Sequence, residues 1–135
     1  MPKPSPIALV VCDALYQDPS GKTALIGLFN MLAAQSFPAT HPQMCVYAAV
    51  TDVHPNTRFR IVIENPETGQ KAAEVEAPQP PPGKLNPTTI CDMRFILQMV
   101  TFPVPGRYDI QFWADEHLLL QRPFEVVPLK LPGGE

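Results

Sequence analysis

Three features of this 135-residue chain could do chemistry: a Gly-Lys-Thr tripeptide, three cysteines and three histidines. Gly21-Lys22-Thr23 is the end of a nucleotide-binding P-loop pattern. Such a loop needs a glycine five residues before the Gly-Lys, so that successive amides can curl round the phosphates; that position is Tyr16. It also needs a helix starting at the Lys-Thr, whose N-terminus completes the anion site. Here Thr23–Phe29, TALIGLF, reads as a strand, and its central Gly27 would weaken a helix by about 1 kcal/mol relative to alanine. The tripeptide is therefore the second half of a turn, and no nucleotide binding is expected.

His41 and Cys45 are four residues apart, while Cys12 and Cys91 fall inside strand-like stretches that could converge on them. Together they would make a mixed nitrogen and sulfur set of the kind zinc takes. No Cys-x-x-Cys pair supports that site, and free cysteine packs as a small hydrophobe, so no metal is expected. The odd, widely spaced cysteines also lack the dense even pattern of a secreted disulfide framework and are expected to be reduced thiols. Ser5, Ser20 and Ser36 sit in no Gly-x-Ser-x-Gly elbow. Asp13, Asp18, Asp52, Asp92, Asp109 and Asp115 are scattered singly, unlike the loop clusters of calcium-binding sandwiches. Glu74 and Glu76 share a strand face and read as a solvated surface rather than paired acids. No catalytic, cofactor or metal residue is assigned.

Composition narrows the class further. Hydrophobic residues are 45% and charged residues 17%, which excludes a low-hydrophobicity disordered chain and suits one folded domain over 1–135 with flexible ends at 1–5 and 129–135. The net charge of −3, without a basic cluster, argues against nucleic-acid binding. No apolar run approaches the ~20 residues of a membrane helix, and Asp13 interrupts the short run at Ile7–Cys12 before it resembles a signal peptide. The expected compartment is the cytoplasm, without membrane association or cofactor.

The elements that must position any site are strands. Eighteen prolines cut the chain into short pieces, because proline neither donates to a ladder nor continues a helix. Within the pieces apolar residues alternate. In TRFRIVIEN, Phe59, Ile61 and Ile63 oppose Arg58, Arg60 and Glu64, with Val62 breaking the rule; in GRYDIQFWAD, Tyr108, Ile110, Phe112 and Ala114 oppose Asp109, Gln111 and Asp115. The pattern predicts eight strands near 7–17, 23–30, 44–53, 57–65, 71–77, 89–101, 107–115 and 118–127, with one helical turn before Pro38. Asp18-Pro19-Ser20-Gly21 and Asn65–Gly69 read as turns built on an aspartate or asparagine followed by proline, and Pro105-Gly106 as the centre of a type II turn. The stretch 78–87, PQPPPGKLNP, reads as a stiff extended crossover whose Pro-x-x-Pro match carries little weight in so proline-rich a chain. Short strands without helical crossovers predict an all-β antiparallel sandwich, immunoglobulin-like or C2-like. Ile96 and Trp113 occupy otherwise polar strand faces, and pairing of their strands would join them in an exposed apolar patch, the expected contact surface.

VVCDALYQDPSGKTALIGLFN, SFPATHPQMCVYAAVTD and VTFPVPGRYDIQFWADEHLLLQRPFEVV together resemble a family of small, uncharacterised bacterial all-β proteins, catalogued as a domain of unknown function. The resemblance spans nearly the whole chain. It implies a cytoplasmic bacterial β-sandwich and carries over no reaction, cofactor or site residue. One departure is local: similar sequences have Asp-Gly in the last hairpin, whereas Glu116 follows Asp115 here, which speaks against a tight two-residue turn.

Two functional readings follow. The leading one is a non-catalytic protein-binding or assembly module that contacts a protein partner or a second copy of itself through a sheet edge or apolar patch. The alternative is a small enzyme or small-molecule binder with a loop-built site of His41, His54 or His117 and a nearby carboxylate, recognisable by a His-carboxylate pair within about 3 Å in a deep pocket.

Overall fold

Among the described residues nine strands form, most of them by alternation of large apolar side chains with polar ones, and the two apolar faces they create close on each other. The computed structural model describes residues 3–77 and 89–129. Strands β1 (Ser5–Gln17), β2 (Thr23–Leu28), β4 (Ala39–Thr51) and β7 (Cys91–Phe102) form a four-stranded sheet in the order β2-β1-β4-β7. Strands β3 (Met31–Ala34), β5 (Phe59–Glu64), β6 (Lys71–Glu76), β8 (Gly106–Ala114) and β9 (His117–Pro128) form a five-stranded sheet in the order β3-β9-β8-β5-β6. No helix occurs among the described residues. The crossover expected at 78–87 and the extreme ends of the chain lie outside the described residues; Pro4 is buried and Ser5 already opens β1.

Two turns close as their sequences predict, and a third forms between His54 and Thr57. In the first, Asp18 Oδ1 accepts hydrogen bonds from Ser20 N, Ser20 Oγ and Lys22 N at 2.9, 2.7 and 2.8 Å, and Gly21 N donates to Asp18 O. Gly-Lys-Thr thus ends a hairpin turn and leads into β2, not a helix. Asn65 Oδ1 likewise accepts from Glu67 N and Thr68 N, with Gly69 at φ 74°. Thr57 N and Thr57 Oγ1 both donate to His54 O across Pro55 and Asn56.

The structure corrects the sequence reading in three places. The stretch expected to hold a helical turn before Pro38 contains β3, which pairs parallel with β9 from Met31↔Glu125 to Ala34↔Pro128, so the sandwich is not wholly antiparallel. Four residues are too few to display a period, and the pairing strand is distant in sequence. Second, β4 begins at Ala39 rather than 44. Its inner face passes from His41 to Met44 at Pro42, while opposite it the inner face of β7 passes from Leu97 to Val100 at Met99, φ 54°. Third, the last hairpin is tight after all: Ala114 pairs with His117, and Asp115 supplies the positive φ of 50°. Aspartate tolerates that region better than most residues, and its backbone is secured by bonds from Asp115 N to Arg58 O and from Arg60 Nη1 to Asp115 O.

Between the sheets lie Val11, Met44, Val46, Phe95 and Phe102 from one side and Ile61, Ile63, Tyr108, Phe112 and Phe124 from the other. Burying each large side chain contributes about 1.5–3 kcal/mol, so this layer dominates stability. Tyr108 is fully buried, packs edge-on to Phe102 at 5.0 Å and donates its hydroxyl to Val104 O at 2.7 Å. A buried tyrosine bonded to backbone four residues upstream at the corner between sheets is the tyrosine corner of immunoglobulin-like sandwiches. Arg122 ties the layers together, donating to Leu9 O at 3.2 Å and to Asn30 Oδ1.

Candidate contact surface

The two outer faces of the sandwich differ in kind. On the four-stranded sheet, register aligns Leu28, Cys12, Cys45 and Ile96 in one row across all four strands. Neighbouring rows are Val10, Tyr47, Arg94 and Ala8, Ala49, Asp92. Leu28, Ile96 and Ile26 are 64%, 56% and 51% exposed, whereas Cys12 and Cys45 between them are 0% and 1% exposed. The row is therefore a trough with thiols as its floor and aliphatic side chains as its rims. No described element covers it. The outward strand positions carry one acid and one base, Asp92 and Arg94, and Tyr47 Oη donates to Asp92 Oδ2 at 3.0 Å. Burial, helped by that bond, raises the Tyr47 phenol above its ordinary range.

The outer face of the five-stranded sheet is charged and internally paired. Arg58 meets Glu76, Arg60 meets Glu74, and Lys71 meets Glu74 at 3.5, 3.4 and 2.9 Å. The Lys71 hydrogen bond lowers the Glu74 carboxyl pKa. Val62, the exception in its strand's alternation, is buried on this side, flanked in register by Glu74 and Gln111. Glu74 and Glu76 are thus surface ion-pair partners.

Ile96 and Trp113 do not form a joint patch. Their strands β7 and β8 lie in different sheets, so the two side chains occupy opposite outer faces. The turn at Pro105-Gly106 leads from one sheet to the other, so the pairing that a joint patch requires does not occur. Ile96 sits on the apolar face; Trp113 is half-buried, with Arg60 stacked 4.7 Å above its ring and its Nε1 donating to Gln111 Oε1 at 3.0 Å. Replacing Trp113 with serine should lower stability by about 1–2 kcal/mol through loss of the cation–π contact and hydrogen bond, and leave association unchanged. Thermal denaturation and sedimentation of the same variant check both halves.

The histidines are dispersed. His41 lines a cavity of about 60 Å³ with Leu32, Ala34, Thr40, Phe102 and Val126; its Nε2 is buried without a partner and its ring lies 6.0 Å from Phe29. That space suits one or two waters. His54 and His117 line a second cavity of about 120 Å³ with Lys3, Asn56 and Asp115. Sequence spacing gave no hint of this grouping, which the last hairpin brings about. Among the described residues no histidine forms an ion pair with a carboxylate, and Asp115 Oδ1 already accepts from Arg58 N.

Of the residues considered as metal ligands, only Cys12 and Cys45 come together, as direct cross-strand neighbours; Cys91 pairs with Val50 and His41 with Val100. All three thiols are free. Cys12 Sγ donates to Ala14 O and Cys45 Sγ to Asp13 O, at 3.4 and 3.6 Å. Burial pushes all three thiol pKa values up, which makes them poor nucleophiles. No group of three metal-ligating side chains exists among the described residues.

Two packed sheets, a tyrosine corner and an apolar outer face define an immunoglobulin-like β-sandwich. Residues 7–127 match the family of unknown function DUF6941, and the chain belongs to that family. Among solved structures it is similar to an immunoglobulin-like protein from Pseudomonas aeruginosa, at 13% identity and a TM-score of 0.47, over 93% of this chain and 97% of that one. No curated protein matches the chain.

Proposed function

We propose that this protein is a non-catalytic binding or assembly module whose contact surface is the outer face of the β2-β1-β4-β7 sheet. One observation carries the reading: the five-stranded sheet meets solvent with paired charges beside Met31 and Leu118, whereas the four-stranded sheet presents Leu28, Ile26 and Ile96, each more than half exposed, with one acid and one base at its outward positions. Leu28 and Ile26 on β2 and Ile96 on β7 flank the buried thiols, and exposed apolar side chains gathered on one face are the usual mark of a contact surface. Buried free thiols on that face suit a reducing compartment, the cytoplasm.

The double variant Leu28→Asn, Ile96→Asn tests the reading. Both residues are exposed, so unfolding free energy should stay within about 0.5 kcal/mol of wild type. Association, with itself or with proteins co-purified from its own host, should fall at least about tenfold. Unchanged association would remove the face from consideration. A large loss of stability would show instead that these side chains pack within the domain.

A further inference from the structure

We propose that the occupant of this face is a second copy of the chain, packed face to face about a two-fold axis running across β1, β4 and β7. The axis lies between the Ala8, Ala49, Asp92 row and the Val10, Tyr47, Arg94 row. This inference rests on the contact-surface reading and goes beyond it in naming the partner.

The argument is self-complementarity, which an isologous interface demands because every residue i that meets j′ requires j to meet i′. A two-fold between adjacent rows sets each row against the other. Asp92 then faces Arg94 of the second copy and Arg94 faces its Asp92, so the acid and base at outward strand positions are both neutralised. Tyr47 falls on Ala49 and Val10 on Ala8, large on small, the alternation that lets two sheets interdigitate. One row out, Ile96 falls on Ile90, and these are 56% and 62% exposed.

About this axis four rows overlap, from Ile90 to Ile96 along β7, across three strands about 4.8 Å apart, which gives a contact of roughly 400 Å² per copy, the size of a weak, concentration-dependent dimer. The chain's net charge of −3 would repel a copy at long range, but the face itself is neutral, with one charge of each sign. The five-stranded sheet offers no such match, since its ion pairs are satisfied within one copy.

Charge reversal tests the axis. Asp92→Arg makes both sides of the contact basic and Arg94→Asp makes both acidic, so each variant alone should dimerise at least about tenfold more weakly than wild type. Mixed in equal amounts, the two variants should recover association as a heterodimer. The chain carrying both changes should dimerise like wild type. Sedimentation velocity between about 1 and 500 μM reads these four samples and the wild type across the affinities expected of a small interface, with melting curves confirming that each is folded. A wild type that stays monomeric, or a dimer indifferent to the single reversals, overturns the second copy. If that monomer still captures a host protein and loses it in the Leu28→Asn, Ile96→Asn variant, the contact surface stands and only the choice of partner fails.

Discussion

Truncating Tyr108 to alanine should destabilise the domain by about 3–5 kcal/mol, the range for a large aromatic removed from a close-packed core. The ring is fully buried, lies 5.0 Å from the Phe102 ring and sits where the chain passes from one sheet to the other. Its hydroxyl separates two contributions. In Tyr108→Phe the packing remains but Val104 O, which accepts at 2.7 Å, loses its bond; the cost should be about 1–3 kcal/mol. Denaturant unfolding of both variants, with unchanged m-values, measures the difference. A Tyr108→Phe variant as stable as wild type would show that the corner bond contributes nothing and that Tyr108 acts through its ring alone.

Gly27→Val should cost about 2–4 kcal/mol, from backbone strain and crowding together. Gly27 adopts φ 73°, where β-branched residues are rare, and an added Cβ would stand 2.6 Å from Asp13 Oδ2 and 3.1 Å from Asp13 Cγ. The two causes are partly separable, because Asp13→Ala removes Oδ2 and Cγ but leaves Asp13 Cβ, 3.1 Å away, and the dihedral. The double variant should recover part of the loss, with a coupling energy in the usual range for touching residues, about 0.5–3 kcal/mol. Additivity in chemical denaturation would show that the Asp13 carboxylate contributes nothing and leave the effect to the dihedral and the Asp13 Cβ contact.

These two positions show what was legible in the sequence and what was not. The strands were legible because Phe59, Ile61 and Ile63, or Tyr108, Ile110 and Phe112, repeat every second residue, and a half-buried strand imposes that period. The turns were legible because Asp18 and Asn65 carry the acceptor that their own loops need. Gly27 read only as a weak strand residue, since nothing local announces its positive φ or the approach of Asp13. Tyr108 read as one more inward residue, because its bond to Val104 O is a matter of how the chain turns between sheets and leaves no mark in the alternation.

The candidate surface was half legible. Ile96 stands out in its own strand because Asp92, Arg94 and Gln98 occupy the same face. Its partners do not stand out, because Leu28, Cys12 and Cys45 come from three other strands and their alignment is a matter of register. Joining Trp113 to it assumes that consecutive strands pair. That assumption fails at Phe102–Gly106, where proline and glycine serve a crossing between sheets as readily as a hairpin. Cys12 and Cys45 read as ordinary core residues for a related reason: small side chains between large neighbours are buried even on an outer face.

The most direct test of the contact surface is side-chain footprinting of the protein at its natural abundance inside its own cell, compared with purified protein at about 1 μM, a dilution below the affinity of most weak interfaces. A contact surface on the four-stranded sheet predicts protection in the cell at Leu28, Ile26, Tyr47 and Ile96, with unchanged labelling of Trp113 and Leu118 on the other sheet. Equal labelling of Leu28 and Ile96 in both samples, or protection confined to the five-stranded sheet, would contradict it.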